Sequence, residues 1–214
     1  MSIVLEGVRK SYRGVPVLSI DRLVVSKGAQ WIITGESGSG KTTFLNLVSG
    51  ILTPDSGSIT ISGTDITRLS EASRDRFRAE KIGIVFQTFN LLQGFSAREN
   101  ILLGMLFANR VDPARADFLL ARVGLTDKRD RNPDELSVGQ QQRVAIARAL
   151  ANQPEILLAD EPTGNLDPKT GESIIELLKE VCRENGTTLL CVTHQPQVMA
   201  SFKDVTDLSC LSGK

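Results

Sequence analysis

The chain has 214 residues, of which 41% are hydrophobic and 23% are charged, and its 25 basic residues balance its 25 acidic ones. This composition is typical of a globular protein and argues against disorder, while zero net charge argues against a broadly basic nucleic-acid binder. The length suits one domain, or one body with a smaller appended lobe.

The cysteines and the apolar segments indicate the cellular compartment in which we expect the protein. The three cysteines, Cys182, Cys191 and Cys210, lack metal-ligand spacing, so we expect free thiols in a reducing compartment. We expect no secretory signal, because MSIVLEGVRK has no long apolar run before a cleavage site. The longest apolar stretch, Ile101 to Ala108, is far shorter than the roughly 20 residues of a membrane span.

Two kinds of strand are predicted along the chain. The first 28 residues and GSITISGTDI at 57–66 resemble short strands joined by glycine turns, which predicts an antiparallel flank. Near-continuous apolar runs predict strands buried on both faces, as in a parallel sheet. These runs are QWIITG at 30–35, KIGIVFQ at 81–87, EILLAD at 155–160 and TTLLCVTH at 187–194.

Helical patterns separate the apolar strands. One is predicted from Lys41 to Ile51 and another from Lys169 to Glu184, which gives an α/β layered body. Between Phe89 and Leu150 the composition turns helical, so we predict an inserted helical lobe. The predicted organisation is one domain over 1–214, with a core of 1–88 and 151–214 and a helical subdomain of 89–150.

The segment GESGSGKT matches the phosphate-loop pattern G-x-x-x-x-G-K-[ST] and lies between a predicted strand and a predicted helix. Its glycines would let backbone N–H groups face phosphates, while Lys41 would reach the terminal phosphates and Thr42 would offer a hydroxyl to Mg²⁺. The alternative is a glycine turn that binds nothing. The predicted nucleotide-binding residues here are Gly35, Glu36, Ser37, Gly38, Ser39, Gly40, Lys41, Thr42 and Thr43.

The run ILLADE at 156–161 ends in two carboxylates, Asp160 and Glu161. The carboxyl ends of strands form the ligand crevice of an open α/β sheet, so Asp160 would hold Mg²⁺ through water. Glu161 would accept a proton from the water that attacks the γ-phosphate. Ordinary surface acids after a strand are the alternative.

The segment LSVGQ at 136–140 precedes the helix-forming run RVAIARALA. Free N–H groups at a helix start attract anions, so this is a second candidate phosphate site. Ser137 and Gln140 also fit a capping box, S-x-x-Q, and helix initiation alone would explain them. The two interpretations are compatible.

With these motifs the chain resembles the ATP-binding cassette (ABC) ATPases over essentially its whole length. The resemblance implies an α/β fold, with a P-loop NTPase core of mainly parallel sheet, an antiparallel β flank and an inserted helical subdomain. In that family the signature motif of one subunit, here LSVGQ, caps the γ-phosphate held by the phosphate loop of the other. Ser137, Gly139 and Gln140 would then serve the ATP of a partner.

Further roles follow from the resemblance, each with a structural alternative. Gln87 matches a glutamine that senses Mg²⁺, and would otherwise be a solvated strand end. His194 matches a switch histidine that contacts the γ-phosphate, and would otherwise be structural. Tyr12 matches an aromatic residue that stacks on adenine, and would otherwise serve packing. Asp167, in GNLD, matches a loop that crosses the dimer interface, and would otherwise be part of a plain turn.

The sequence departs from the common family pattern at three places. Val138 replaces the usual second-position glycine of the signature, although Gly139 remains. Gln195 stands where an acidic residue is frequent, which leaves the local hydrogen bonding open. The C-terminal stretch FKDVTDLSCLSGK is a poor match, and we expect no regulatory domain after it.

The resemblance implies an ATP-hydrolysing subunit of an ABC transporter that binds ATP and Mg²⁺. The stretches FQTFNLLQGFSARENI and EPTGNLD are similar to the branch of lipoprotein-releasing and macrolide-export-type transporters, which also includes a cell-division ATPase. We therefore expect a homodimer, or pairing with a second ABC ATPase subunit, and an integral membrane permease partner. The location would be cytoplasmic and peripheral, on the inner face of the cell membrane, with no direct nucleic-acid contact.

The predicted lobe has more apolar residues than a small helical insert needs, which suggests a groove for a helix of a membrane subunit. Core packing of the lobe is the alternative. These residues are Phe89, Leu91, Leu92, Phe95, Leu102, Met105 and Phe107. Two other functions stay open: an ABC ATPase acting on DNA, the ribosome or the cell-division machinery, and a simple nucleotide kinase, which would not explain LSVGQ or GNLD.

Overall fold

The computed structural model describes residues 1–36 and 38–211. Its centre is a five-stranded parallel sheet with the order β6-β7-β8-β3-β9. The strands are β3 (Gln30–Thr34), β6 (Ile82–Val85), β7 (Ile156–Asp160), β8 (Thr188–Val192) and β9 (Asp204–Asp207). The sequence predicted four of them and missed β9, because DVTD is a polar strand at the edge of the sheet.

An antiparallel sheet with the order β2-β1-β4-β5 forms the predicted flank. Its strands are β1 (Ile3–Tyr12), β2 (Val15–Val25), β4 (Ser56–Ile61) and β5 (Thr64–Asp65). Arg13 and Gly14 join β1 to β2, and both have positive φ, which suits a tight hairpin turn.

Four helices accompany the strands of the core. They are α1 (Lys41–Val48), α2 (Glu71–Lys81), α6 (Pro168–Asn185) and α7 (Pro196–Ala200). α1 ends before the predicted Ile51, because Gly50 has a left-handed φ of 71°. The sequence did not predict α2, which buries none of its residues and so has no apolar period to detect.

Three α-helices lie between residues 89 and 150, where the structure has no strand. They are α3 (Ala97–Leu106), α4 (Pro113–Arg122) and α5 (Val138–Ala149). Ile101, Met105 and Val144 share one hydrophobic cluster with Leu157 of the parallel sheet. Because this cluster crosses the proposed boundary at residue 150, the subdomain limits stay a prediction.

Both faces of the parallel sheet are covered, and neighbouring residues of one strand point to opposite faces. Leu157 of β7 packs with the helices, whereas Leu158 packs with α1 and the antiparallel sheet. Ile32 and Ile33 of β3 divide in the same way. Burial on both faces explains the unbroken apolar runs in the sequence.

The three cysteines are free, as predicted. Burial raises the pKa of the Cys182 thiol to about 12, and burial also raises the pKa of Cys191. Within the described part of the chain, none of the helices has both the length and the apolarity to cross a bilayer.

Candidate active site

The strand order brings the predicted catalytic and Mg²⁺ residues to the carboxyl-terminal end of the parallel sheet. Asp160 ends β7, and Gln87 and His194 each lie two residues beyond β6 and β8, which are shorter than the sequence predicted. Lys41 follows the loop after β3. Because β6, β7, β8 and β3 are successive parallel strands, the segments at their carboxyl ends lie side by side.

The phosphate loop depends on glycine at two positions. Gly38 and Gly40 have φ angles of 81° and 92°, which side chains rarely allow. A Cβ on Gly40 would also lie 2.9 Å from the carbonyl oxygen of Val17 in β2. The loop is therefore held against the antiparallel sheet in a shape that only glycine permits. The predicted Ser37 lies outside the described residues.

The loop presents several groups that fit phosphate. No side chain caps the start of α1, so the N–H groups of its first turn, including those of Thr42 and Thr43, suit an anion. Lys41 Nζ donates to the carbonyl oxygens of Gly35 (2.8 Å) and Glu36 (2.7 Å) and so lies over the loop.

Ser39 adds a polar group that suits the same ligand. Its Oγ is buried and has no hydrogen-bond partner among residues 1–36 and 38–211. A buried hydroxyl without a partner fits a ligand oxygen.

Asp160 lies close to both Lys41 and Glu161. Burial raises its pKa most, the charge of Glu161 raises it further, and the charge of Lys41 opposes both effects. Asp160, Thr42 and Gln87 offer carboxylate, hydroxyl and amide oxygens, the donors that Mg²⁺ prefers. This donor set fits Mg²⁺ together with phosphate oxygens.

Glu161 is held at both its backbone and its carboxylate. Its φ of 43° is left-handed, which costs a residue other than glycine roughly 1–2 kcal/mol, and its N–H donates to the carbonyl of Val192 (2.9 Å). Oε1 lies 2.6 Å from Nδ1 of His194, and Oε2 accepts from Oγ1 of Thr193 at 2.9 Å. The Glu161 side chain is 12% exposed and that of His194 is 69% exposed. The imidazole therefore lies between the carboxylate and solvent.

The loops after β6 and β7 pack on each other. Nδ2 of Asn165 donates to the carbonyl of Gln87 at 2.9 Å. A Cβ on Gly164 would lie 2.7 Å from Nε2 of Gln87, so glycine permits this close approach. Gln87 itself is exposed. The GNLD segment is therefore linked to the predicted Mg²⁺ residue.

The helix start at Ser137 has the predicted capping box. Oγ of Ser137 accepts from the N–H of Gln140 (3.3 Å), and Oε1 of Gln140 accepts from the N–H of Ser137 (2.9 Å). Val138, the departure from the family pattern, is exposed. Among the described residues, no hydrogen bond joins this segment to the phosphate loop of the same chain.

Gly139, in the first turn of α5, packs against the first turn of α6, which Asp167 caps. Asp167 caps α6 by accepting from the N–H of Thr170 at 3.1 Å, and hydrogen bonds from Thr170 lower its pKa. A Cβ on Gly139 would lie 2.7 Å from Cγ2 of Thr170. Asp167 thus serves as the N-cap of α6, and its role across a dimer interface stays a prediction.

Tyr12 lies at the end of β1, where it is exposed and its ring centroid is 6.0 Å from Nζ of Lys10. Its register partner in β2 is Val15. Val17, two residues further along β2, is the residue whose carbonyl faces Gly40. The hairpin therefore lies beside the phosphate loop, and stacking on adenine stays a prediction.

A family model described as ABC transporter matches residues 18–164, which include the phosphate loop, the Asp160–Glu161 pair and LSVGQ. The chain belongs to the ABC transporter family. It is an ATP-binding, ATP-hydrolysing cassette, and the predicted resemblance and fold class are confirmed. The comparisons favour a transport ATPase over an ABC ATPase that acts on DNA, the ribosome or the cell-division machinery.

The relatives of this ABC cassette include proteins of two named systems. It is 46% identical over 200 residues to the lipoprotein-releasing system ATP-binding protein LolD 1 of Rhodopseudomonas palustris, covering 89% of the chain and 88% of that protein. It is 44% identical over 205 residues to the macrolide export ATP-binding/permease protein MacB of Syntrophobacter fumaroxidans. That match covers 92% of the chain but only 29% of MacB.

Among solved structures, the ABC cassette is similar to the ATP-binding cassette MJ0796 in a dimeric post-hydrolysis state bound to ADP and Pi. The TM-score is 0.86 at 38% identity, and the match covers 96% of this chain and 93% of that one. A second dimeric structure of MJ0796 matches with the same TM-score at 39% identity.

Sequence reasoning missed several residues that shape the site of this ABC ATPase. Nothing in the sequence indicated a role for Thr193 except its position directly before His194. Arg148 donates to the carbonyls of Phe89 (2.7 Å) and Asn90 (2.6 Å), which follow Gln87 and both have positive φ. Burial lowers the pKa of Arg148. No local pattern predicts a contact between residues this far apart in the sequence.

The structure shows which hydrogen bonds Gln195 makes in place of the acidic residue that is frequent at this position in the family. Its N–H donates to Oγ1 of Thr193 at 3.1 Å, and its side-chain Oε1 accepts from Oγ1 of Thr163 at 2.8 Å. A neutral amide oxygen therefore serves as the acceptor at the position after His194.

Proposed function

We propose that two copies of this chain close around two ATP molecules with Mg²⁺, and that hydrolysis drives a separate membrane subunit. The observation that carries the proposal is the carboxylate of Glu161, held between Thr193 and His194 at the sheet edge beside the phosphate loop. The similarity to dimeric cassettes supports the two-copy arrangement. Pairing with a second ABC ATPase subunit would place the same groups around ATP.

Different residues of the chain have different roles in ATP hydrolysis. The phosphate loop and Lys41 bind the phosphates, and Thr42, Asp160 and Gln87 would hold Mg²⁺, which neutralises phosphate charge when bound. Glu161 accepts the proton of the attacking water.

His194 bonds to Glu161 through Nδ1, so its other ring nitrogen faces outward. A hydrogen bond between that nitrogen and the γ-phosphate would fit the role of a switch histidine.

The N-terminus of α5 would complete the site from the second copy. The capping box holds Ser137 and Gln140 in a fixed geometry and leaves backbone N–H groups of the first turn for an anion. Gly139 lies in this same turn, next to α6. Tyr12 would stack on adenine, and Asp167 would lie near the interface between the copies.

Glu161→Gln tests the assignment of the base. The variant should bind ATP with unchanged affinity, turn over at least about a hundredfold more slowly, and accumulate ATP-dependent dimers in size-exclusion chromatography. Glu172→Gln makes the same chemical change on the exposed side of α6 and should keep wild-type turnover. Retention of more than about a tenth of wild-type turnover in Glu161→Gln would contradict the role of Glu161.

A cleft between the core and the helical segment supports the membrane partner. It has a volume of about 600 Å³ and is lined by α2 and β6 on one side and by α3 and α5 on the other. Phe107, which is 82% exposed, lies at this cleft. A helix of a membrane subunit with an apolar face would fit it. The chain would then bind peripherally at the cytoplasmic face of the membrane.

Not all of the apolar residues predicted for this groove are available to a partner. Leu91 and Met105 are buried in the hydrophobic cluster, so for them core packing is the correct interpretation. Phe95 and Leu102 line a second, smaller hollow of about 180 Å³ with Leu106. The partner surface is therefore narrower than the sequence predicted.

A further inference from the structure

We propose that Thr193 is a positioning residue for ATP hydrolysis, whose hydroxyl fixes the carboxylate of Glu161 in the orientation that a general base needs. This inference rests on the proposed role of Glu161. Thr193 directly follows β8, and the residue is 0% exposed. It has no role in the phosphate loop or in the predicted Mg²⁺ site.

The direction of the Thr193 hydroxyl is set by its two partners. Its oxygen accepts from the N–H of Gln195 at 3.1 Å and donates to Oε2 of Glu161 at 2.9 Å. A hydroxyl carries one proton. Because the N–H of Gln195 can only donate, the proton of the hydroxyl is directed at the carboxylate.

The backbone around Thr193 links Glu161 to the phosphate loop. The N–H of Thr193 donates to the carbonyl of Ile33 at 3.2 Å, in the strand that leads into the loop. The N–H of Glu161 donates to Val192, the residue before Thr193. Both the backbone and the carboxylate of Glu161 are thus fixed relative to the strand that carries the phosphate site.

A closed set of hydrogen bonds holds this arrangement. Thr163, two residues after Glu161, donates to the side chain of Gln195 at 2.8 Å. Gln195 in turn orients Thr193, and Thr193 holds Glu161. The side chain of Gln195 thus ties residue 195 to the loop after Glu161, its backbone N–H orients Thr193, and the neutral amide adds no negative charge next to the base.

The carboxylate needs this second partner because one bond alone does not fix it. With His194 as its sole side-chain partner, the carboxylate of Glu161 would be free to rotate about that bond and to leave hydrogen-bond reach of the attacking water. A base must lie within hydrogen-bond reach of the proton that it accepts, and small misplacements lower the rate strongly. Nucleotide binding would be unaffected, because the phosphate loop is unchanged.

Thr193→Val removes the hydroxyl and keeps the shape of the side chain. We expect kcat to fall about tenfold or more, with the KM for ATP and the ATP affinity within about twofold of wild type. Thr193→Ser restores a hydroxyl and should keep kcat within about threefold of wild type.

A matched control lies at the other end of the same strand. Thr187 directly precedes β8, is buried, and donates to the carbonyl of Pro154 at 2.9 Å. Thr187→Val should lower the melting temperature as much as Thr193→Val does, with no change in kcat. Should the Thr193 valine variant not fold, Thr193→Ala carries the same expectation.

The double variant Glu161→Gln/Thr193→Val separates this inference from the proposed function. If Thr193 acts through Glu161, single-turnover rates of the double variant equal those of Glu161→Gln. If ATP turnover is slow in Glu161→Gln but normal in Thr193→Val, the positioning role of Thr193 is wrong and the proposed function stands. Multiplied losses in the double variant also overturn it, because Thr193 would then act elsewhere. Normal turnover in Glu161→Gln overturns both proposals.

Discussion

Asn100 is a buried polar side chain whose loss should destabilise the protein by a predictable amount. It is 0% exposed and lies in α3, where it fixes the loop that leads from Gln87 into the helical segment. Its Oδ1 accepts from the N–H of Leu92 at 2.8 Å, and its Nδ2 donates to the carbonyls of Leu92 (3.1 Å) and Phe95 (2.9 Å). Asn100→Leu has nearly the same volume and removes all three bonds.

The size of the effect follows from these bonds. Each net hydrogen bond contributes about 1 kcal/mol to the free energy of unfolding, so three amount to about 3 kcal/mol. A fourth contact, to the carbonyl of Ser96, adds little because the backbone N–H of Asn100 already bonds to that oxygen. Since water can reach part of the loop at the exposed Leu92, we expect a loss of about 2–3 kcal/mol.

Urea unfolding followed by circular dichroism measures this loss as a shift of the midpoint at a constant m-value. The control is Asn185→Leu, because Asn185 makes one side-chain bond, to the carbonyl of Val181 in its own helix. It should cost less than about 1 kcal/mol. A loss in Asn100→Leu no larger than that of the control would refute the reasoning.

Two further predictions concern the partner surface and the buried carboxyl. Phe107→Asp should abolish co-purification with a membrane subunit from detergent extracts and leave the ATPase rate of the isolated chain unchanged, because the ring is exposed. Phe118→Asp, at an exposed position of α4, is its control, and equal recovery of the subunit with both variants would contradict the prediction. Burial raises the pKa of Asp160, so this carboxyl contributes stability at low pH that is lost as the pH rises through its folded pKa. Without nucleotide, Asp160→Asn should therefore raise the melting temperature at about pH 7.5 more than at about pH 4. Equal gains at both pH values would show that ionisation of Asp160 has no effect on stability.

Elements with a strong local pattern were predicted well. The apolar runs that became β3, β7 and β8 are buried on both faces, and their composition alone indicates this. α6 was predicted to within one residue at each end, because its apolar face and its closing Gly186 are both local features. α2 and β9 were missed, because one buries nothing and the other is a polar edge strand.

The lobe shows where composition misleads. Leu91, Met105 and Phe107 are all apolar and close in sequence, yet the first two are buried and the third is 82% exposed. Composition cannot separate them, because burial depends on how α3 and the loop before it pack on the rest of the protein. Only the packing of α3 on α5 decided which residues remain for a partner.

The sequence by itself determined the chemical groups of the site: the phosphate loop, the Asp160–Glu161 pair, the capped helix start at Ser137 and the histidine after β8. Each depends on a local property, such as a glycine φ angle or the spacing of a cap, that neighbouring residues specify. The tertiary structure alone decided how these groups meet. Thr193 reaches Glu161 because β7 and β8 are neighbours in the sheet, and strand order results from packing of the whole chain rather than from any short segment.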